Sequence, residues 1–125
     1  MPNLTSLTPI LRVTDIREAI AYYNQLGFET LETDEQYHGE GNLYWAMLKC
    51  GEVGLMLNID GTSDLKTDQT NYLGVDDVDA FHDQIKDLVE VTEPLKDQFY
   101  GVRDFWFTDR FGFKWGAGTR KASAG

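Results

Sequence analysis

A chain of 125 residues, 42% hydrophobic and 26% charged, has the balance of an ordinary globular domain and is long enough to bury one core. Its formal charge of −10, from 11 basic and 21 acidic residues, argues against nucleic-acid binding, which relies on lysine and arginine at phosphates, and permits a cationic ligand. One cysteine, Cys50, excludes an internal disulfide framework, no apolar run nears the roughly 20 residues of a membrane helix, and Met1-Pro2-Asn3-Leu4-Thr5 lacks a signal-peptide pattern, so the expectation is a cytoplasmic protein with no nucleic-acid or membrane partner.

Leu7 to Val13 reads as a strand, with Pro9 tolerated near its start. Asp15 with Glu18 three residues later opens a helix in the manner of a capping box. The expected buried face of that helix is Ile16, Ala19, Ile20, Tyr23 and Leu26, and Gly27 closes it. Phe28 to Thr33 is a second strand, and the polar stretch from Asp34 to Gly41, with Tyr37 and His38, reads as a loop. Leu43 to Lys49 and Glu52 to Asn58 form a hairpin about a two-residue turn, Cys50-Gly51. Ile59 to Gln69 is a polar connector. Tyr72 to Val75 is then a strand and Asp77 to Leu88 a helix, its inward face Val78, Phe81, His82, Ile85 and Leu88. Val89 to Thr92 is a strand ended by Pro94. Arg103 to Thr108 and Phe113 to Ala117 are strands around a four-residue turn, Asp109 to Gly112.

The chain repeats itself. Leu11-Arg12-Val13-Thr14-Asp15-Ile16 returns as Leu73-Gly74-Val75-Asp76-Asp77-Val78, with Asp15 and Asp77 62 residues apart. The expected organisation is a single domain over residues 1–125. One pseudo-repeat covers 4–60, a connector 59–69, a second pseudo-repeat 70–118 and a flexible tail 119–125.

This doubled strand–helix–three-strand order carries Tyr22-Tyr23-Asn24-Gln25-Leu26-Gly27-Phe28 after its first helix, and Tyr100-Gly101-Val102-Arg103 leading into Phe107-Thr108-Asp109-Arg110-Phe111-Gly112. It resembles the vicinal oxygen chelate superfamily of glyoxalases, dioxygenases and bleomycin-resistance proteins. The resemblance covers Leu4 to Gly118 and departs at Arg110, where proline is usual. It implies an α+β fold: tandem βαβββ repeats forming two curved mixed sheets around a groove, helices outside. Strand alternation then assigns faces. Leu7, Leu11, Val13, Leu55 and Leu57 go to the helix, and Thr8, Ile10, Arg12, Met56 and Asn58 to the groove. The expected turn sets Trp45 opposite Met56, which adds Trp45 and Met47 to the groove. Tyr72, Gly74, Lys114 and Gly116 share that face; counting around the four-residue turn adds Phe105, opposite Gly116, although Phe105, Trp106 and Phe107 are apolar on both faces and their alternation leaves the facing open. Core packing is the ordinary expectation for Trp106 and Trp115. Tyr100 closes one end.

Enzymes of this superfamily hold a divalent metal on four side chains, mainly His and Glu. Those positions fall here on Thr8, Met56, Thr70 and Gly116, a poor ligand set, and the chain has two histidines in all. The resemblance therefore points to the metal-free bleomycin-resistance-like branch, with no catalytic residues, no metal and no cofactor. It implies a homodimer that sequesters an aromatic or cationic small molecule, with antibiotic resistance as one use. The expected ligand-binding residues are Thr8, Arg12, Trp45, Met47, Met56, Asn58, Tyr72, Tyr100, Phe105 and Lys114. The alternatives are a lyase, isomerase or dioxygenase with an atypical metal site, and a structural dimer with no ligand.

Overall fold

Two aspartates start the two long helices in the same way. Asp15 Oδ1 accepts the backbone N–H of Glu18 at 3.1 Å, and Asp77 Oδ1 accepts that of Ala80 at 3.1 Å. Each satisfies one of the N–H groups that a helix start leaves without a partner, a contribution of about 1 kcal/mol. The computed structural model describes residues 2–38, 43–59 and 69–121. The chain divides into two compact units, Met1–Leu65 and Lys66–Gly125. Among the described residues no helix is long and apolar enough to cross a membrane.

In the first unit β1 (Ile10–Val13), α1 (Ile16–Gln25), β2 (Glu29–Thr33), the single turn α2 (Glu35–His38), β3 (Trp45–Cys50) and β4 (Val53–Ile59) follow in order. The sheet order is β1-β4-β3-β2, with β1 parallel to β4 and the other pairs antiparallel. Leu11, Val13, Ala46, Leu48, Leu55 and Leu57 are buried on one sheet face, and α1 buries Ile16, Ala19, Tyr22 and Tyr23. Each fully buried aliphatic side chain there contributes about 1.5–3 kcal/mol. Tyr22 takes the place expected of Ile20, and the strand begins at Ile10, leaving Leu7 91% exposed. Residues 35–38 form a helical turn where a loop was expected; the side chain of His38 and residues 39–41 lie outside the described residues.

The β3–β4 hairpin turns on Gly51-Glu52, not Cys50-Gly51. Gly51 has φ +58° as the first turn residue, and Cys50 pairs with Val53. That is the glycine position of a type II′ turn. Trp45 consequently pairs with Asn58 and Met47 with Met56. The register has moved by two residues, which leaves every side chain on its expected face.

In the second unit β5 (Thr70–Gly74), α3 (Val78–Ile85), β6 (Glu90–Asp97), β7 (Val102–Thr108) and β8 (Lys114–Arg120) form a sheet of order β5-β8-β7-β6, again with the first strand parallel to the last. The fold is α+β with two βαβββ repeats. Strand β6 runs through Pro94, which an edge strand with register irregularities tolerates. The expected tail begins two residues too early: Thr119 and Arg120 lie in β8, and residues 122–125 are outside the described residues. Thr119 Oγ1 accepts Val78 N–H at 2.9 Å and donates to Val75 O at 2.7 Å, tying the start of α3 to the last strand. Arg103 adds a second tie, with Nη2 2.8 Å from Asp79 and Nη1 3.4 Å from Asp97, which also meets Lys121 at 3.0 Å.

The β7–β8 connection contradicts the expected turn. Thr108 pairs with Lys114, so the loop holds five residues, Asp109 to Phe113. Buried Asp109 organises it: Oδ1 accepts Phe111 N–H at 2.9 Å and Phe113 N–H at 3.0 Å, and Oδ2 accepts Trp115 Nε1–H at 2.9 Å. One extra loop residue shifts the register by one and exchanges the faces of β7. Phe105 therefore pairs with Ala117, not Gly116. It is 0% exposed and packs on the helix side, its ring 4.9 Å from His82 and 5.4 Å from Phe107. It leaves the expected ligand-binding set for that reason, and Trp106 takes its place opposite Gly116.

Asp109→Ala removes one carboxylate from three N–H donors. It is expected to destabilise the protein by about 2–4 kcal/mol, read as a lower urea midpoint with an unchanged slope.

Candidate functional site

The face of each sheet turned away from its helix carries the candidate site residues. In the first sheet Arg12, Asn58 and Trp45 form one row of paired residues, and Ile10, Met56 and Met47 the next. Arg12 and Asn58 are exposed, and Trp45, Met47 and Met56 are half-buried. Asp34 Oδ1 accepts the N–H groups of Tyr44 and Trp45 at 3.1 and 3.2 Å and fixes the start of β3. The methyl end of Met47 lies over Gly54, 2.8 Å from where a Cβ there would stand. Thr8 precedes the strand and is half-buried. The structure thus brings Arg12, Trp45, Met47, Met56 and Asn58 together on one face, as the alternation predicts.

The second sheet is more specialised. Three rows of paired residues cross its open face: Thr70, Lys114 and Thr108; then Tyr72, Gly116 and Trp106; then Gly74, Gly118 and Asp104. Glycine at alternate positions of β8 leaves the strand bare. The Trp106 ring fills the space over Gly116, with Cζ3 2.5 Å from the position of a Cβ, and the Tyr72 hydroxyl fills that over Gly118. The two rings are 5.5 Å apart, centre to centre, at 54°. They form a platform held by the strand beneath it.

Beyond the platform lies Asp104, a carboxylate with 0% exposure in mid-strand. Gln98 Nε2 donates to Oδ1 at 3.0 Å and the Tyr100 hydroxyl donates to Oδ2 at 3.1 Å. Burial, followed by the Asp104 charge, pushes the Tyr72 phenol above its ordinary value of 10.0. Burial and then the hydrogen bond to Asp104 do the same for Tyr100. At the other end an open depression of ≈ 440 Å³ is lined by Thr70, Thr92, Glu93, Trp106, Thr108 and Lys114, with parts of Phe107 and Trp115.

Trp106, Asp104 and Gly118 are the site residues that sequence reasoning missed. A signal was present: an aspartate in mid-strand does not belong on a helix-facing apolar surface, so the parity of Asp104 marks Trp106 as outward.

A family model, described as Glyoxalase/Bleomycin resistance protein/Dioxygenase superfamily, matches residues 4–116. The chain belongs to that superfamily. None of the curated proteins matches the sequence. Among solved structures, TioX from Micromonospora sp. ML1 superposes with a TM-score of 0.76 at 20% identity, over 97% of this chain and 100% of that one. The bleomycin resistance determinant encoded on transposon Tn5 gives 0.75 at 21%, over 95% and 100%. The bleomycin-binding protein of bleomycin-producing Streptomyces verticillus, complexed with copper(II)-bleomycin, gives 0.67 at 18%, over 98% and 100%. At these identities the likeness is one of fold.

The resemblance carries the usual metal positions of superfamily enzymes onto Thr8, Met56, Thr70 and Gly116, and these residues do not suit a divalent ion. Thr8 and Thr70 offer hydroxyls and Met56 a thioether, donors poorly matched to such an ion. Gly116 has no side chain, and the Trp106 ring occupies the space that a ligand group there would need. Among the described residues no group of three or more His, Cys, Asp and Glu is placed to hold an ion.

Two measurements check this geometry. Gly116→Ala brings a methyl group against the Trp106 ring and is expected to change its near-ultraviolet circular dichroism while the far-ultraviolet spectrum stays. The raised phenols favour their neutral forms in the fold, so the stability they give is present below about pH 10 and is lost as pH rises through their higher folded values. In an absorbance titration Tyr72 and Tyr100 are expected to ionise late, and Asp104→Asn to move both part of the way back.

Proposed function

We propose that the protein is a non-catalytic small-molecule-binding member of the superfamily that sequesters an aromatic or cationic ligand, with drug tolerance as one consequence. The observation that carries this reading is the Tyr72–Trp106 platform, laid on Gly116 where an enzyme of the family would need a ligand atom. Flat, polarizable rings suit a planar molecule, and sequestration requires affinity without transition-state chemistry. The bleomycin complex of the Streptomyces verticillus relative supports a binding role for this fold. Arg12, Trp45, Met47, Met56 and Asn58 on the first sheet, with Thr8 beside them, and Tyr72, Tyr100, Trp106 and Lys114 on the second are the proposed contact residues. The same reading makes the protein a cytoplasmic homodimer, to be tested by light scattering.

Metal analysis of the purified protein, combined with thermal-shift screening of planar compounds, tests the proposal. Less than about 0.1 equivalent of zinc, iron, nickel or manganese is expected, and a ligand present at 100 times its dissociation constant stabilises by about 2.7 kcal/mol. One equivalent of a tightly held divalent ion would favour the lyase, isomerase or dioxygenase reading instead. Trp106→Ala and Trp45→Ala are each expected to weaken a stacked ligand by about 1–3 kcal/mol with the fold retained. Unchanged affinity by calorimetry removes that tryptophan from the site.

A further inference from the structure

The open face of the second sheet is not symmetric along its strands. Its first row pairs Lys114 with Thr70 on one side and Thr108 on the other, and all three line the depression. These groups donate hydrogen bonds and suit a carboxylate or carbonyl oxygen. Its third row, Gly74 and Gly118, is covered at Gly118 by the Tyr72 hydroxyl and ends in Asp104, and the hydrogen-bond donors to that carboxylate, Gln98 and Tyr100, are both neutral. A buried carboxylate beside the Tyr72 and Tyr100 hydroxyls favours a cationic or amine donor near them. The Tyr72–Trp106 platform lies between these ends. At about 3.3 Å per residue, the Lys114 and Gly118 rows are separated by roughly 13 Å. That is the span of a two-ring aromatic system with a substituent at each end.

We infer that this face selects planar aromatic ligands by their polarity: an acid or carbonyl group at the Lys114 row, the rings on Tyr72 and Trp106, and an amine at the Tyr100–Asp104 end. The inference rests on the binding reading above and goes beyond it by giving the ligand a direction. Glu93 bears on the same point. It lines the depression from β6, opposite Trp106, so an anionic group centred on the platform meets a like charge there. The acid group is thereby confined to the lysine row. The negative formal charge of the whole chain works against a purely anionic ligand. A ligand carrying both groups meets the local and the long-range requirements together.

Calorimetry with four probes tests this: 6-(aminomethyl)-2-naphthoic acid, 2-naphthoic acid, 2-naphthylmethylamine and 2-naphthamide. The zwitterionic probe is expected to bind about tenfold tighter than either singly charged one. Lys114→Met is expected to cost both acids about tenfold and leave naphthylmethylamine unchanged, and Asp104→Asn to do the reverse. Tyr100→Phe, which retains the buried carboxylate, reads the amine end in a second background and is expected to weaken the two amines alone. Naphthylmethylamine binding as tightly as the zwitterion, or Lys114→Met leaving naphthoic acid unaffected, overturns the polarity while the binding reading stands. Failure of all four probes to bind, naphthamide included, overturns the binding reading and this inference with it.

Discussion

The second sheet depends on one carboxylate. Asp109 takes N–H bonds from Phe111, Phe113 and Trp115, and so holds a five-residue loop where a four-residue turn would otherwise join the strands. Register follows from loop length, and the facing of every side chain on β7 follows from register. With five residues, Phe105 and Phe107 enter the helix-facing core and Asp104 and Trp106 look outward. With four, an aspartate would lie under α3 and the stacked Phe105–Phe107 pair would be exposed. The cost of burying an unpaired carboxylate against apolar rings excludes that arrangement.

The outward face is then shaped by what is absent from it. Gly116 and Gly118 give up side-chain packing so that the Trp106 ring and the Tyr72 hydroxyl rest on backbone. Rings seated in this way have little conformational freedom left to lose. Gly54 under the Met47 methyl repeats the device in the first sheet. A thioether there leaves the surface more adaptable than an aromatic pair does.

The two units are built to one plan with different fastenings. Each starts its helix on an aspartate cap and pairs its first strand in parallel with its last. The second adds the Thr119 bridge and the shared ion pairs of Arg103, Asp79, Asp97 and Lys121. Hydrogen bonds from Arg103 and Lys121 hold the Asp79 and Asp97 carboxyls below their ordinary value of 3.8. Depressed carboxylates contribute above that value and lose their contribution as pH falls through the lower folded one.

Repeat, caps and alternation were legible in the residues themselves. The 62-residue return of the strand–helix motif, the Asp15 and Asp77 caps and the buried rows Leu11, Val13, Leu55 and Leu57 need only local geometry, because a period of two or 3.6 is a property of the chain. The first open face was legible for a related reason: the observed hairpin register differs from the expected one by two residues, and an even shift moves nothing across the sheet. The second was not. A one-residue difference at the Asp109 loop exchanges Phe105 for Trp106; those rings and Phe107 are apolar on both faces, and the one local sign, the parity of Asp104, stands against the loop count until the loop's length is known. Hydrogen bonds from Phe111, Phe113 and Trp115 converging on one buried carboxylate fix that length and with it the ring that faces outward. That decision required the tertiary structure, because the indole N–H of Trp115 reaches Asp109 only after the strands have paired.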